Sequence, residues 1–238
     1  MSSKFGNILT MILVILIVAI LGIVGYFVYD ALHSSKVNND AQEALAEFEK
    51  ATTGVKRDTS NLENSEETED ENTVTTDPLE ELDKLMQNNV ETEQVQQETQ
   101  EPEKVYKEGY EIKGRIEIPK TKVDYPIFAD NTKRTLEMGI TIAYGPGLNE
   151  PGNTCLYGHN YRNSLFFSNN DKLTNGDKVL ITDQWGEKVT YVIYNIYQTD
   201  ANDASYMQRP IDEGKREISL QTCTDDNSGR IIIWAAEQ

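Results

Sequence analysis

Three residues in the C-terminal half could together break and remake an acyl bond. Cys223 closes the run Ser219-Leu220-Gln221-Thr222-Cys223, and Arg230 follows seven residues later. His159 lies 64 residues before the cysteine, in Gly158-His159-Asn160. The chain holds only two histidines and two cysteines. A thiolate is the strongest side-chain nucleophile near neutral pH. An imidazole can carry its proton to a departing amine. A permanently charged guanidinium can hold the oxyanion that forms between the two steps. Thr222 adds a hydroxyl next to the nucleophile, and Asn160 and Tyr161 follow the histidine, so these three are candidates for contacting substrate.

The elements around these residues read as strands. Apolar alternation predicts strands at 110–118, 123–128, 140–144, 154–157, 178–182, 188–197, 217–222 and 230–235. Short helical turns are expected at 134–138 and 165–169. The runs Gly145-Pro146-Gly147 and Glu150-Pro151-Gly152-Asn153 mark a turn-rich loop, and Gln184-Trp185-Gly186 a hairpin. The fold class is therefore all-β, an eight-stranded barrel built from 105–238. His159 and Cys223 each follow the C-terminal end of a strand, and Arg230 opens the next one. If the fourth and seventh of these strands run side by side in parallel, the three side chains meet at one rim.

The N-terminal part has a different texture. Ile8 to Val28 is an apolar run long enough to span a bilayer. It lacks a convincing cleavage site after Tyr29, so an uncleaved anchor over 8–29 is expected, with 1–7 cytoplasmic; a cleaved signal peptide is the alternative. Lys4 before the run and Asp30 after it favour the bulk of the chain outside. Residues 1–104 hold 7 basic and 21 acidic residues, a net of −14, whereas 105–238 hold 15 and 19, a net of −4. The span 30–104 reads as an acidic, mostly disordered linker. Short helices within it are suggested by Ala41, Leu45 and Phe48 at helical spacing and by the capped run Asp77-Pro78-Leu79 to Met86. Neither half has the basic surplus that phosphate backbones require, which excludes direct nucleic-acid binding. No Cys/His spacing suits a metal, and the chemistry needs no cofactor. Cys155, in an apolar strand, reads as a small buried hydrophobe, leaving two free thiols.

The segment from Tyr106 to the C-terminus resembles the sortases, membrane-anchored cysteine transpeptidases of Gram-positive bacteria. The resemblance rests on Ser219-Leu220-Gln221-Thr222-Cys223 against a Thr-Leu-x-Thr-Cys motif. It rests also on Pro151-Gly152-Asn153 leading into Gly158-His159, and on Arg230 opening the last strand. Ser219 departs from the family's threonine. The resemblance implies that Cys223 attacks the Thr–Gly carbonyl of an LPxTG-like sorting signal, that His159 protonates the leaving amine, and that Arg230 holds the substrate backbone and the oxyanion. An amine then resolves the thioester, from a lipid II cross-bridge or from a pilin lysine. Pilin-type members carry an Asp-Pro-aromatic lid; here Asp77-Pro78 is followed by Leu79. Two other functions fit the same residues: a cysteine hydrolase, in which water resolves the thioester, and a non-catalytic barrel displayed on a stalk.

Overall fold

The computed structural model describes residues 2–53 and 101–238. Nine strands follow one long helix: β1 Val105–Lys107, β2 Tyr110–Ile118, β3 Val123–Phe128, β4 Ile140–Tyr144, β5 Gly152–Tyr157, β6 Lys178–Asp183, β7 Lys188–Asp200, β8 Arg216–Cys223 and β9 Gly229–Glu237. The sheet order is β1-β2-β3-β4-β5-β8-β9-β7-β6, and a further β2–β6 pairing closes β2 to β9 into an eight-stranded barrel. All eight expected strands are present. The added β1 is a three-residue edge on β2, too short to carry a period of its own.

Alternation places one face of each strand inside. Ile116 and Ile118 of β2, Ile181 of β6, Ile218 and Leu220 of β8, and Ile231 and Ile233 of β9 fill the barrel. The β5–β8 pair is parallel, with Cys155 opposite Ser219 and Tyr157 opposite Gln221. The two strands named as possible neighbours are therefore adjacent and aligned. A helix over 133–138 (α2) is started by a reciprocal Thr132–Thr135 capping box. The expected helical turn at 165–169 is absent; a 3-10 turn follows instead at Asn170–Lys172. Phe166 takes a left-handed φ of 49° and bridges back to Asn160, which is incompatible with a helical start.

The N-terminal helix (α1) is continuous from Ser2 to Thr52, so ordered structure does not stop at the end of the apolar run. Residues 30–52, read from sequence as the start of the linker, are helical and belong with the barrel to one compact unit. Ala41, Ala44, Leu45 and Phe48 form a buried stripe at helical spacing. Phe48 packs with Phe128 and Met138, and Ala41 joins the barrel cluster. Burial of Phe48 alone is worth about 2–3 kcal/mol. Polar contacts fix the register: Lys107 pairs with Glu43 at 2.8 Å, and Arg115 bridges Glu49 and Asp124. The apolar stretch Ile8–Val28 has its side chains exposed, and α1 contains an 18-residue window with a mean hydropathy of 3.2, compatible with a membrane anchor. The suggested helix at 77–86, and with it the lid reading, lies outside the described residues.

Candidate active site

Cys223 is the last residue of β8 and stands opposite Arg230 of β9 in the antiparallel register. Directly opposed residues point to the same face, so thiol and guanidinium share the outer face at this rim. His159 reaches the same place through two cross-links that bracket it. Gly158 N donates to Gln221 O at 3.1 Å, carrying the β5–β8 pairing one residue beyond the strand. Asn160 Nδ2 then donates to Cys223 O at 3.0 Å. These two bonds hold the backbone on both sides of His159 against the end of β8.

Gly158 is required for this approach. A Cβ there would lie 2.6 Å from both Ile140 Cδ1 and Phe167 Cδ2. Gly158→Ala must push Phe167 or the histidine backbone aside, at about 1–3 kcal/mol. We expect a lowered melting temperature together with a fall in activity larger than the stability loss explains, checked by melting curves and steady-state rates.

The imidazole is half-buried, and that burial lowers its pKa below the usual 6.5; Glu137 opposes the shift. A less basic ring is a stronger acid once protonated. The sign for stability follows. Above 6.5 both states hold the ring neutral and its burial is tolerated. As pH falls from 6.5 toward the lowered folded value, the unfolded chain takes the proton first, and stability drops. Denaturant midpoints measured across this window should fall with acid in the parent, and less steeply in His159→Gln.

Tyr161, about one-third exposed, sets its ring 5.0 Å from that of His159, as a wall of the site. Asn160 was expected to contact substrate, but its amide is spent inside the protein. Nδ2 also donates to Asp225 at 2.9 Å, and Oδ1 accepts from Arg162 N at 2.9 Å. It is a positioning residue that ties the histidine loop to the cysteine loop. Asp225 completes the tie by accepting from Arg162 Nε through its backbone carbonyl. Asn160→Ala should lower kcat/KM by about 10- to 100-fold. Asp225→Ala should lower it less, and the double variant should show a non-additive loss in a mutant cycle.

Thr222 is a further correction. Its register partner is Ile231, a core residue, so its side chain points into the barrel, opposite to Cys223. It is 1% exposed and its hydroxyl has no partner among the described residues, so it does not line the outer face that carries Cys223 and Arg230. The turn from Cys223 to Arg230 is held by Asp226. Its carboxylate accepts from Thr224 Oγ1 at 2.7 Å and from Ser228 Oγ at 2.8 Å, bonds that hold its pKa down to about 2. Arg230 donates to Gly229 O at 3.0 Å, and among the described residues no carboxylate pairs with it.

The two thiols are free and occupy opposite environments. Cys155 is fully buried, and burial pushes its pKa up to about 11 despite contacts from Ser219 and Asn153. It stays a protonated core group. Cys223 is partly exposed at the rim. Below Cys223 on the same face, Gln221 accepts from Tyr206 at 2.8 Å, and Tyr206 meets Tyr157 at 2.5 Å. Tyr206 belongs to the 201–210 segment, irregular in sequence, and no local signal announced that it covers this face.

Residues 116–238 match the family model described as Sortase domain. The chain belongs to the sortase family. It is 29% identical over 126 residues to a Sortase A of Bacillus anthracis, and the match spans 52% of this chain and 58% of that relative. Among solved structures it is similar to a lid mutant of sortase A from Corynebacterium diphtheriae, with 27% identity, a TM-score of 0.49, and coverage of 54% of this chain and 71% of that one. It is also similar to sortase C-1 from Actinomyces oris, with 24% identity, a TM-score of 0.48, and coverage of 52% and 72%.

Proposed function

We propose that this chain is a membrane-anchored transpeptidase whose catalytic groups are Cys223, His159 and Arg230. The observation that carries the reading is the bracketing of His159 against the end of β8 by the Gly158–Gln221 and Asn160–Cys223 bonds, with Arg230 facing Cys223 in register. Cys223 sulfur attacks the Thr–Gly carbonyl of an LPxTG-like sorting signal while its proton passes to His159. The resulting oxyanion is held by Arg230. Collapse breaks the C–N bond, His159 returns the proton to the leaving amine, and a thioester remains on Cys223. An incoming amine, from a lipid II cross-bridge or a pilin lysine, attacks the thioester. It gives a proton to His159, and the thiol is regenerated with that proton. The apolar stretch at 8–29 would hold the barrel on the extracellular face, with 1–7 cytoplasmic. The acyl donors would be secreted surface proteins.

The test is a panel of LPxTG-like peptides offered to the protein with and without an amine such as triglycine. An amide adduct that requires the amine supports transpeptidation. Acid product alone, at every amine concentration, would make the protein a hydrolase.

A further inference from the structure

A cavity of about 660 Å³ lies between α1 and the barrel. One wall is the stretch of α1 just beyond the apolar run, with Ser34 and Asn38. The other is the β2–β3 turn, with Lys120, Thr121 and Lys122, and Lys172 closes one side. The lining combines apolar surface, from residues such as Tyr125 and Leu165, with three lysines and, among the described residues, no carboxylate. Lys120 is engaged by Asp177 at 2.7 Å, and Lys172 donates only to the neutral Asn169, at 2.8 Å. Lys122 has no carboxylate partner among the described residues. Thr121, on the same turn, is 7% exposed, with its hydroxyl closed to solvent and without a hydrogen-bond partner among the described residues.

The position of the cavity selects the ligand. Ser34 is six residues past Val28, about 9 Å along a helix axis. The headgroup layer reaches roughly 5–8 Å beyond the hydrocarbon, so lysines of the barrel wall that faces Ser34 extend toward its outer edge. Anionic surfaces attract such juxtamembrane lysines. We propose that this cavity binds the phosphodiester headgroup of an anionic membrane lipid. Lys122 and Lys172 supply the charge. The site also touches the catalytic side of the barrel. Asn163 Nδ2 donates to Ser34 at 3.4 Å, and its carbonyl receives Leu165 N at 2.8 Å within the loop that follows His159. Headgroup binding would thereby brace that loop against α1.

The proposal rests on the anchor reading of 8–29. That reading has its own check, since an anchored chain stays in the membrane pellet after alkaline carbonate extraction. The headgroup test uses the full chain in detergent micelles, titrated with phosphatidylglycerol, phosphatidylcholine or inorganic phosphate and followed by native mass spectrometry. We expect one tightly retained phosphatidylglycerol and no comparable retention of phosphatidylcholine. Removing one lysine charge should weaken retention about fivefold, and Lys122→Gln with Lys172→Gln roughly 25-fold. Melting temperatures report that each variant is folded. Equal retention of the two lipids, or a folded double variant that retains phosphatidylglycerol as the parent does, overturns the proposal. Displacement of the lipid by inorganic phosphate at equal concentration also overturns it and assigns the cavity to free phosphate.

Discussion

Cys223→Ala should abolish peptide cleavage and acyl transfer, a loss of about 10⁴- to 10⁶-fold, while the protein keeps its fold. The residue ends β8 at the surface rather than filling the core, so truncation to alanine opens no internal cavity. Its partner experiment is Cys155→Ala. Cys155 is fully buried with its thiol held protonated, so that change should cost stability and leave the chemistry working. Rates for both variants with one peptide, together with their melting temperatures, check the assignment. Activity lost in Cys155→Ala and kept in Cys223→Ala would reverse it.

Arg230→Lys should lower kcat by about 10²- to 10³-fold, the usual loss when one oxyanion donor is removed. Charge is conserved in this variant; geometry is not. A guanidinium offers a planar fork of five donors, whereas an ammonium is a compact point charge on a flexible stem. Arg230 commits one of its nitrogens to Gly229 O, and this bond fixes where the fork points. Lysine cannot both keep that anchor and present paired donors to a substrate carbonyl. The loss should fall mainly on kcat, because an oxyanion forms only after attack. A variant with near-parental kcat and raised KM would instead make Arg230 a simple binding group.

The strands were legible because the barrel buries one face of each, which writes a period of two into the sequence. The parallel β5–β8 neighbourhood was posed only as a condition, since pairing between distant strands leaves no local mark. Helix α1 was read as two pieces. The span from Asp30 to Asn39 carries Ser, Lys and Asn and meets the barrel through scattered contacts of Ser34, Val37 and Asn38, so it shows no buried stripe. Only tertiary contact at Ala41 to Phe48 reveals that the helix continues.

Within the site, Cys223, His159 and Arg230 were legible from residue type and position at strand ends. The inward direction of Thr222 was also written in the sequence, since adjacent strand residues face opposite ways, but its place beside the nucleophile suggested contact with substrate. Asn160 was read as free to meet substrate because Asp225, its partner, lies 65 residues away. The cover provided by Tyr206 was hidden for the same reason: it comes from a segment with no periodic pattern.

The most direct measurement is the intact mass of the protein after brief exposure to an LPxTG-like peptide, with no amine added and the reaction stopped in acid. Peptide mapping then locates any adduct. The proposed mechanism predicts a mass increase equal to the acyl fragment ending in threonine, attached to Cys223 and released by hydroxylamine as a thioester is. An adduct on Cys155, or turnover of the peptide by Cys223→Ala at the parental rate, would contradict it.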